Sequence, residues 1–364
     1  MISRLLAFLG RHVDPHLLAA IGALLLVGLI TLYSASGESL VRVGAQAGNI
    51  VVAIGLMWLA ANVPHHYLQR LALPLYLVGL LLLIGVAAFG EVANGARRSL
   101  HVGVVRFQPS ELMKVAVPMA LAWYFDRYEA VLKLRDFAVA ALMLLVPVML
   151  IARQPDLGTA LLIAAAGFYV IFLAGLSWKI LVGLTVVVLS SLPLLWSVLH
   201  DYQRQRVLTL LDPTQDPLGA GYHIIQATIA LGSGGFFGRG WLNGTQAHLD
   251  FLPERSTDFI FAVFAEEFGL FGNLVLVTLF LFVIGRGMFI TFNASTLFTR
   301  LLAGAITLTF FTYVFVNMGM VSGLLPVVGV PLPLISYGGS SLVSLLLGMG
   351  ILMSIHTHKR LVKT

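Results

Sequence analysis

Transfer chemistry draws on carboxylates that accept a proton and cations that steady a departing anion, and in this chain such groups are few and clustered. Glu111 and Lys114 stand three residues apart in VRFQPSELMK, 105–114, a spacing that puts both on one face of a helix. The pair falls inside an apolar run. A charge at the centre of a span costs roughly 2.5–3.5 kcal/mol on insertion scales, so an intramembrane pair marks a functional site by default. A mutual ion pair that merely neutralises two residues near the interface is the other reading. Pro109 and Ser110 read as the helix start, with the Ser110 hydroxyl as N-cap. Arg153 and Asp156 flank a Gln-Pro turn in RQPD; alone, they are adequately explained as the polar ends of a helical hairpin. Asp258, in STDF at 256–259, sits where a loop becomes a helix, with Thr257 or Ser256 able to cap it. A first-turn acid favoured by the helix dipole is the alternative. Glu266 follows about 12 Å along the axis and within about 80° of the same face, and Glu267 points nearly opposite. The last cluster is SGLLPVVGVPLPLISYGGSS, 322–341. Its prolines forbid a continuous helix, and apolar non-helical backbone at membrane depth must be buried in protein or line a cavity. It ends in Ser336-Tyr337-Gly338-Gly339-Ser340, where Gly338 and Gly339 allow close approach of a backbone or ligand.

The elements that must position these groups are set by composition. The chain has 364 residues, 59% hydrophobic and 10% charged, and its mean hydropathy is +0.95. Soluble domains average about 45–50% apolar and about 25% charged, so a soluble globule, a disordered chain and a nucleic-acid module are excluded. Zero cysteines exclude disulfides, thiolate metal sites and cysteine nucleophiles. With about 20 apolar residues per crossing, segments near 16–34, 45–63, 72–90, 111–125, 137–153, 157–175, 179–199, 259–285, 299–321 and 337–355 read as spans. The expected fold is an all-α polytopic membrane protein of about ten transmembrane helices forming one integral domain. No alternation of about ten residues recurs to suggest a β-barrel. The first apolar run is longer than that of a cleavable signal peptide. Ten spans put both termini on one side, and 12 of the 22 lysines and arginines fall in segments on that side, which makes it the cytoplasmic one. His356 and His358 flank the basic C-terminal end and read as solvated. No phosphate-binding GxxxxGK[ST] loop and no HExxH helix occurs.

Residues 200–258 form the one long connection, between spans seven and eight. It holds six of the 16 acids, together with Arg204, Arg206, Arg239, Arg255 and many glycines. Loops of this length are uncommon in compact proteins unless functional or disordered. The aromatic and apolar runs here argue for an ordered external cap with short amphipathic helices.

Taken together, these segments resemble the SEDS family (shape, elongation, division and sporulation). The stretch from Asn317 through Gly323, Pro326 and Gly329 to Ser341 is similar to the family's signature segment. YQRQRVLTLLDPTQDPLGAGYHIIQA (202–227) and FLPERSTDFIFAVFAEEFG (251–269) are similar to its long loop and the span after it, and VRFQPSELMK and QPDLGTA (154–160) to two further segments. The YQRQR and FLPE wording favours the elongation branch over the division branch. The resemblance implies a peptidoglycan glycosyltransferase of the bacterial cytoplasmic membrane. It would polymerise lipid II into a growing glycan strand on the outer face, beside a class B penicillin-binding protein and other elongation-complex membrane proteins. It implies Asp258 as the catalytic aspartate, Glu111 and Lys114 as a functional pair and Asp156 as a retained polar position.

The residues suit that chemistry independently. Glycosyl transfer from a polyprenyl diphosphate needs a base for the acceptor hydroxyl, which Asp258 can supply, and positive charge for the diphosphate. Lys114, loop arginines such as Arg204 and Arg206, or a divalent cation such as magnesium or manganese can supply the second; no cofactor is required by the sequence. A flippase for lipid-linked precursors is the competing reading, since intramembrane charges and proline-broken helices suit transporters too. A non-catalytic scaffold is the third. Against the flippase, the charges gather at the expected external ends of the spans rather than near the midplane.

Overall fold

Helix starts in this chain are written by prolines and short polar side chains. Asp14 caps the first helix, α1 (Pro15–Ala35), accepting from the Leu17 N–H at 3.0 Å, with Pro15 in the first turn. Ser39 does the same for α2 (Leu40–Ala61), and α3 runs His65–Phe89 around Pro74. The structure is a computed structural model that describes residues 12–89, 91–93, 96–102, 105–128, 132–154, 156–198, 204, 208–210, 212–215, 220–245 and 254–358.

After α3 comes a small antiparallel meander, β1 (Glu91–Ala93), β2 (Ala96–Val102) and β3 (Val105–Phe107), with Ala93 opposite Ala96 and Leu100 opposite Phe107. This is an addition to the helical fold expected from composition. Its sequence signal is Asn94-Gly95, a favoured two-residue hairpin pair. The remaining helices are α4 (Pro109–Arg127), α5 (Leu134–Ala152), α6 (Leu157–Leu173), α7 (Trp178–Val198), α8 (Ala220–Ser233), α9 (Ile260–Phe292), α10 (Leu297–Val321) and α11 (Gly339–Thr357). A helix therefore occupies each of the ten expected segments, and α8 lies in the long connection. By length and composition, seven of the described helices can cross a membrane: α1, α2, α3, α5, α9, α10 and α11. α6 has only 17 residues, and α4 carries Glu111, Lys114, Asp126 and Arg127.

Polar contacts gather at the two ends of the bundle. At the end that holds both described termini, buried Asp14 accepts from Arg286 at 2.7 and 3.0 Å, with His356 3.5 Å away. His358 stacks on His12 with ring centroids 4.2 Å apart. These histidines are thus half-buried partners rather than the solvated pair expected from their basic surroundings. Also at this end, Asp126 accepts from Gln69 at 2.7 Å and from the Phe298 N–H at 2.9 Å, joining α3, α4 and α10. Between the ends the core is apolar, and glycines let helices close: at Gly350 of α11 the Met57 carbonyl of α2 leaves no room for a Cβ.

Candidate active site

Asp258 lies at the opposite end, two residues before α9. The expected caps from Ser256 and Thr257 do not form. Phe259 is the N-cap, without a side-chain bond. The Thr257 hydroxyl instead donates to the Glu254 carboxylate at 2.9 Å, and the Ser256 carbonyl accepts from the Tyr337 N–H at 2.9 Å. The turn is clamped from the signature segment. Ser336 donates to the Thr257 carbonyl at 2.6 Å and accepts from the Leu332 N–H at 2.8 Å. From α10, Asn317 donates to the carbonyls of Asp258 (2.8 Å) and Val330 (2.7 Å). The backbone at Asp258 is thereby fixed on two sides, leaving its carboxylate facing Gly329, where a Cβ would stand 3.4 Å from Oδ2. Gly329 has φ +74°, a conformation that glycine tolerates without strain. Burial, and then the nearby Glu254, push the Asp258 carboxyl up to about 6. It is therefore mostly ionised at neutral pH and close enough to it to serve as a base.

Glu111 and Lys114 form the expected pair, with Nζ to Oε1 at 2.7 Å and both side chains mostly buried. Ser344 of α11 donates to the second Glu111 oxygen at 2.7 Å, and the ammonium stands 5.3 Å from the Tyr313 ring centre. Lys114 and Ser344 line a small cavity of about 40 Å³, and Asp258 is not among its lining residues. Tyr313 and Asn317 are four residues apart on α10, one turn of the same face. The pair at Tyr313 thus lies about 6 Å below the level at which Asn317 holds the Asp258 turn. The start of α4 differs from expectation: Gln108 is the N-cap and Pro109 the first helical residue, the position proline prefers because its missing N–H is no loss there. The Ser110 hydroxyl is buried without a partner.

Asp156 caps α6, accepting from the Thr159 N–H at 3.2 Å, and accepts from Gln108 at 3.1 Å. Two residues on, Gly158 backs onto the signature segment, where a Cβ would come 2.7 Å from the Val328 carbonyl. The loop that meets Asp258 at Gly329 therefore rests on α6 beside Asp156. Of the other expected residues, Gly338 caps α11 and its N–H donates to Gln46 at 3.2 Å. Gly339 lies against Asn49, and Ser340 is exposed in the first turn. Arg204 turns back to the end of α7, donating to the carbonyls of Trp196 and Ser197 at 3.0 and 2.8 Å. Arg206 lies outside the described residues. Gln46 and Gln108 are positioning groups that sequence reasoning did not single out, and Asn317 was named there only as the start of the signature segment. For Asn317 and Gln46 the available signal was an amide inside an apolar span, which needs buried partners. Among the described residues no group of three or more His, Cys, Asp or Glu stands ready to hold a metal ion.

Comparison with known proteins supplies the context. The FtsW/RodA/SpoVE family model, described as cell cycle protein, matches residues 15–361. The peptidoglycan glycosyltransferase MrdB of Escherichia coli K12 is 50% identical over 351 residues, which are 96% of this chain and 95% of that one. A probable peptidoglycan glycosyltransferase FtsW of Geobacter sp. M18 is 39% identical over 308 residues, 84% of this chain and 83% of its own. The crystal structure of the Thermus thermophilus rod shape determining protein RodA superposes with a TM-score of 0.72 at 31% identity, over 94% of this chain and 96% of that chain. A chain from a peptidoglycan synthase complex, solved for its coordination of polymerization and crosslinking, gives 0.83 at 36% identity, over 94% and 97%.

Proposed function

This chain belongs to the FtsW/RodA/SpoVE family of cell cycle proteins, and on that footing we propose a residue-level reading of its site. The protein is a peptidoglycan glycosyltransferase of the cell-shape branch, and it is a multi-pass membrane protein. Its substrate is lipid II, polymerised at the outer face of the bacterial cytoplasmic membrane during elongation. Both termini are cytoplasmic, which makes the Asp258 end external. Asp258 takes the proton of the acceptor sugar hydroxyl as that oxygen attacks the anomeric carbon of the donor. The bond to the diphosphate breaks with inversion, so one base on the acceptor side suffices. Lys114 supplies positive charge toward the departing diphosphate, held at the head of α4 by Glu111. Asp156, Ser336 and the Gly338-Gly339-Ser340 run shape the floor on which the substrate lies. A class B penicillin-binding protein cross-links the product.

The observation that carries this reading is the turn at 256–258, whose three carbonyls are clamped by Tyr337, Ser336 and Asn317 while the Asp258 carboxylate is left unclaimed by those bonds. The flippase alternative has one feature in its favour, a break in α9 at Gly269, since transporters bind substrate at such breaks. Here, however, the break is filled by residues 235–240, whose backbone pairs with it. The test is polymerisation of lipid II by the purified protein, with and without a purified class B partner, across a pH series. Glycan strands form, and kcat/KM falls tenfold per unit below about pH 6 as Asp258 protonates. Lipid II transport by the purified protein without polymer would overturn the reading.

A further inference from the structure

Glu266 and Glu267 are buried, at 0% and 1% exposure, inside an apolar helix, and the proposed transfer step uses neither. Both sit at a break. Gly269 has φ +63° and ψ −162°, outside helical values. In an unbroken helix the N–H groups of residues 270 and 271 would bond the carbonyls of 266 and 267. All four groups are instead taken by the glycine-rich segment that follows α8. Arg239 N–H and Gly240 N–H donate to the carbonyls of Glu266 and Glu267 at 2.9 and 3.0 Å. Leu270 N–H and Phe271 N–H donate to those of Gly235 and Phe236 at 2.9 and 3.0 Å. Gly238 presses against this backbone with no room for a Cβ.

The side chains latch the same segment. Glu266 Oε1 accepts from the Thr245 N–H (2.9 Å), the Thr245 hydroxyl (3.0 Å) and the Ser233 hydroxyl (3.3 Å), with Arg239 Nε 3.8 Å away. Glu267 accepts from Ser34 of α1, and Trp241 donates to the Ile30 carbonyl of the same helix at 3.2 Å. Ser233 ends α8, and near the other end of α8 His223 stacks on Phe259, ring centres 5.7 Å apart and 16° from parallel. Phe259 follows Asp258. Covalent continuity through residues 258–268 and packing through α8 therefore join the latch to Asp258 by two routes.

We propose that Glu266 is a positioning residue for glycan polymerisation, registering residues 233–245 in the break of α9 and so holding α8 and the Asp258 turn in working geometry. The inference rests on Asp258 as the base. A misplacement of about 1 Å costs about 10²-fold in rate, which sets the size of the expected effect. The test uses the full-length protein and measures kcat and KM per folded molecule. Glu266→Gln keeps an acceptor oxygen for the three neutral donors and stays within about threefold of wild type. Glu266→Ala loses about 10²-fold in kcat with KM little changed, and its acid limb moves to lower pH as the Asp258 turn admits water. Thr245→Val, which removes one donor from the other side of the latch, lowers kcat in the same direction and is non-additive with Glu266→Ala. It carries the test alone if Glu266→Ala does not fold. Wild-type kcat and acid limb in folded Glu266→Ala, or in Thr245→Val if that variant stands alone, would reduce the latch to a stability device. A Glu266→Gln as inactive as Asp258→Asn would make Glu266 a reacting group, and either result overturns the proposal. Full activity of Asp258→Asn in the same series would instead remove the reading beneath it.

Discussion

The Glu111–Lys114 pair and Asp258 meet opposite problems of charge beside a membrane. The pair neutralises itself at 2.7 Å and is completed by Ser344. Asp258 is half-buried with another acid, Glu254, near it, and its proton affinity rises accordingly. Removing one member of a buried pair strands the other at a cost of about 3–5 kcal/mol. Lys114→Met is therefore expected to lose both thermal stability and polymerisation, and Glu111→Gln to lose less stability because Ser344 still has an acceptor. Thermal melts in detergent beside a polymerisation assay check this, and full activity in both variants would return the pair to a purely structural role. The pair was legible because three-residue spacing on a helix is local. The caps at Ser110 and at 256–257 were not, since each depended on which residue begins the helix, and Pro109 moved one such start by two residues.

At the scale of elements, the signature segment works through two left-handed glycines that do different jobs. Gly329 (φ +74°) faces the Asp258 carboxylate, whereas Gly323 (φ +71°) faces Ile224. Alanine at either pays the left-handed penalty of roughly 1–2 kcal/mol. Gly329→Ala and Gly323→Ala should thus lower the melting temperature by similar amounts, while only Gly329→Ala depresses kcat through the methyl beside Asp258. Equal activity losses in the two would show that the segment matters only for folding. The run of spans was readable from apolar length, and the three prolines correctly excluded a helix over 322–338. The break in α9 was hidden because AEEFGLFG reads as uninterrupted helix. The backbone that compensates for it lies some thirty residues away, at 235–240, where no periodicity can reveal it. The meander at 91–107 had a local signal in Asn94-Gly95, but its short strands alternate too briefly to stand out from a polar loop.

For the whole molecule, polar contacts divide between two ends, with Asp14, Arg286 and His356 at one and Asp258, Asn317 and Ser336 at the other. The proposed topology puts the first end in the cytoplasm. Because the chain has no cysteine, Gln215→Cys gives a single thiol in the long connection. An impermeant maleimide should label it in intact spheroplasts, and labelling only after lysis would invert the topology. That polar residues gather toward the ends of the helices was legible from their clustering along the chain. How Asn317 and Ser336 clamp the aspartate was not, because they meet it only through the folded chain. The central claim is that one carboxylate at that end makes the glycosidic bond possible. Asp258→Asn keeps size and leaves the Asn317 and Ser336 bonds to the backbone intact, but removes the base. Purified, shown folded by its melting temperature and given lipid II, this variant should polymerise about 10²–10⁴-fold more slowly than wild type. A folded Asp258→Asn protein that makes glycan strands at the wild-type rate would contradict the account.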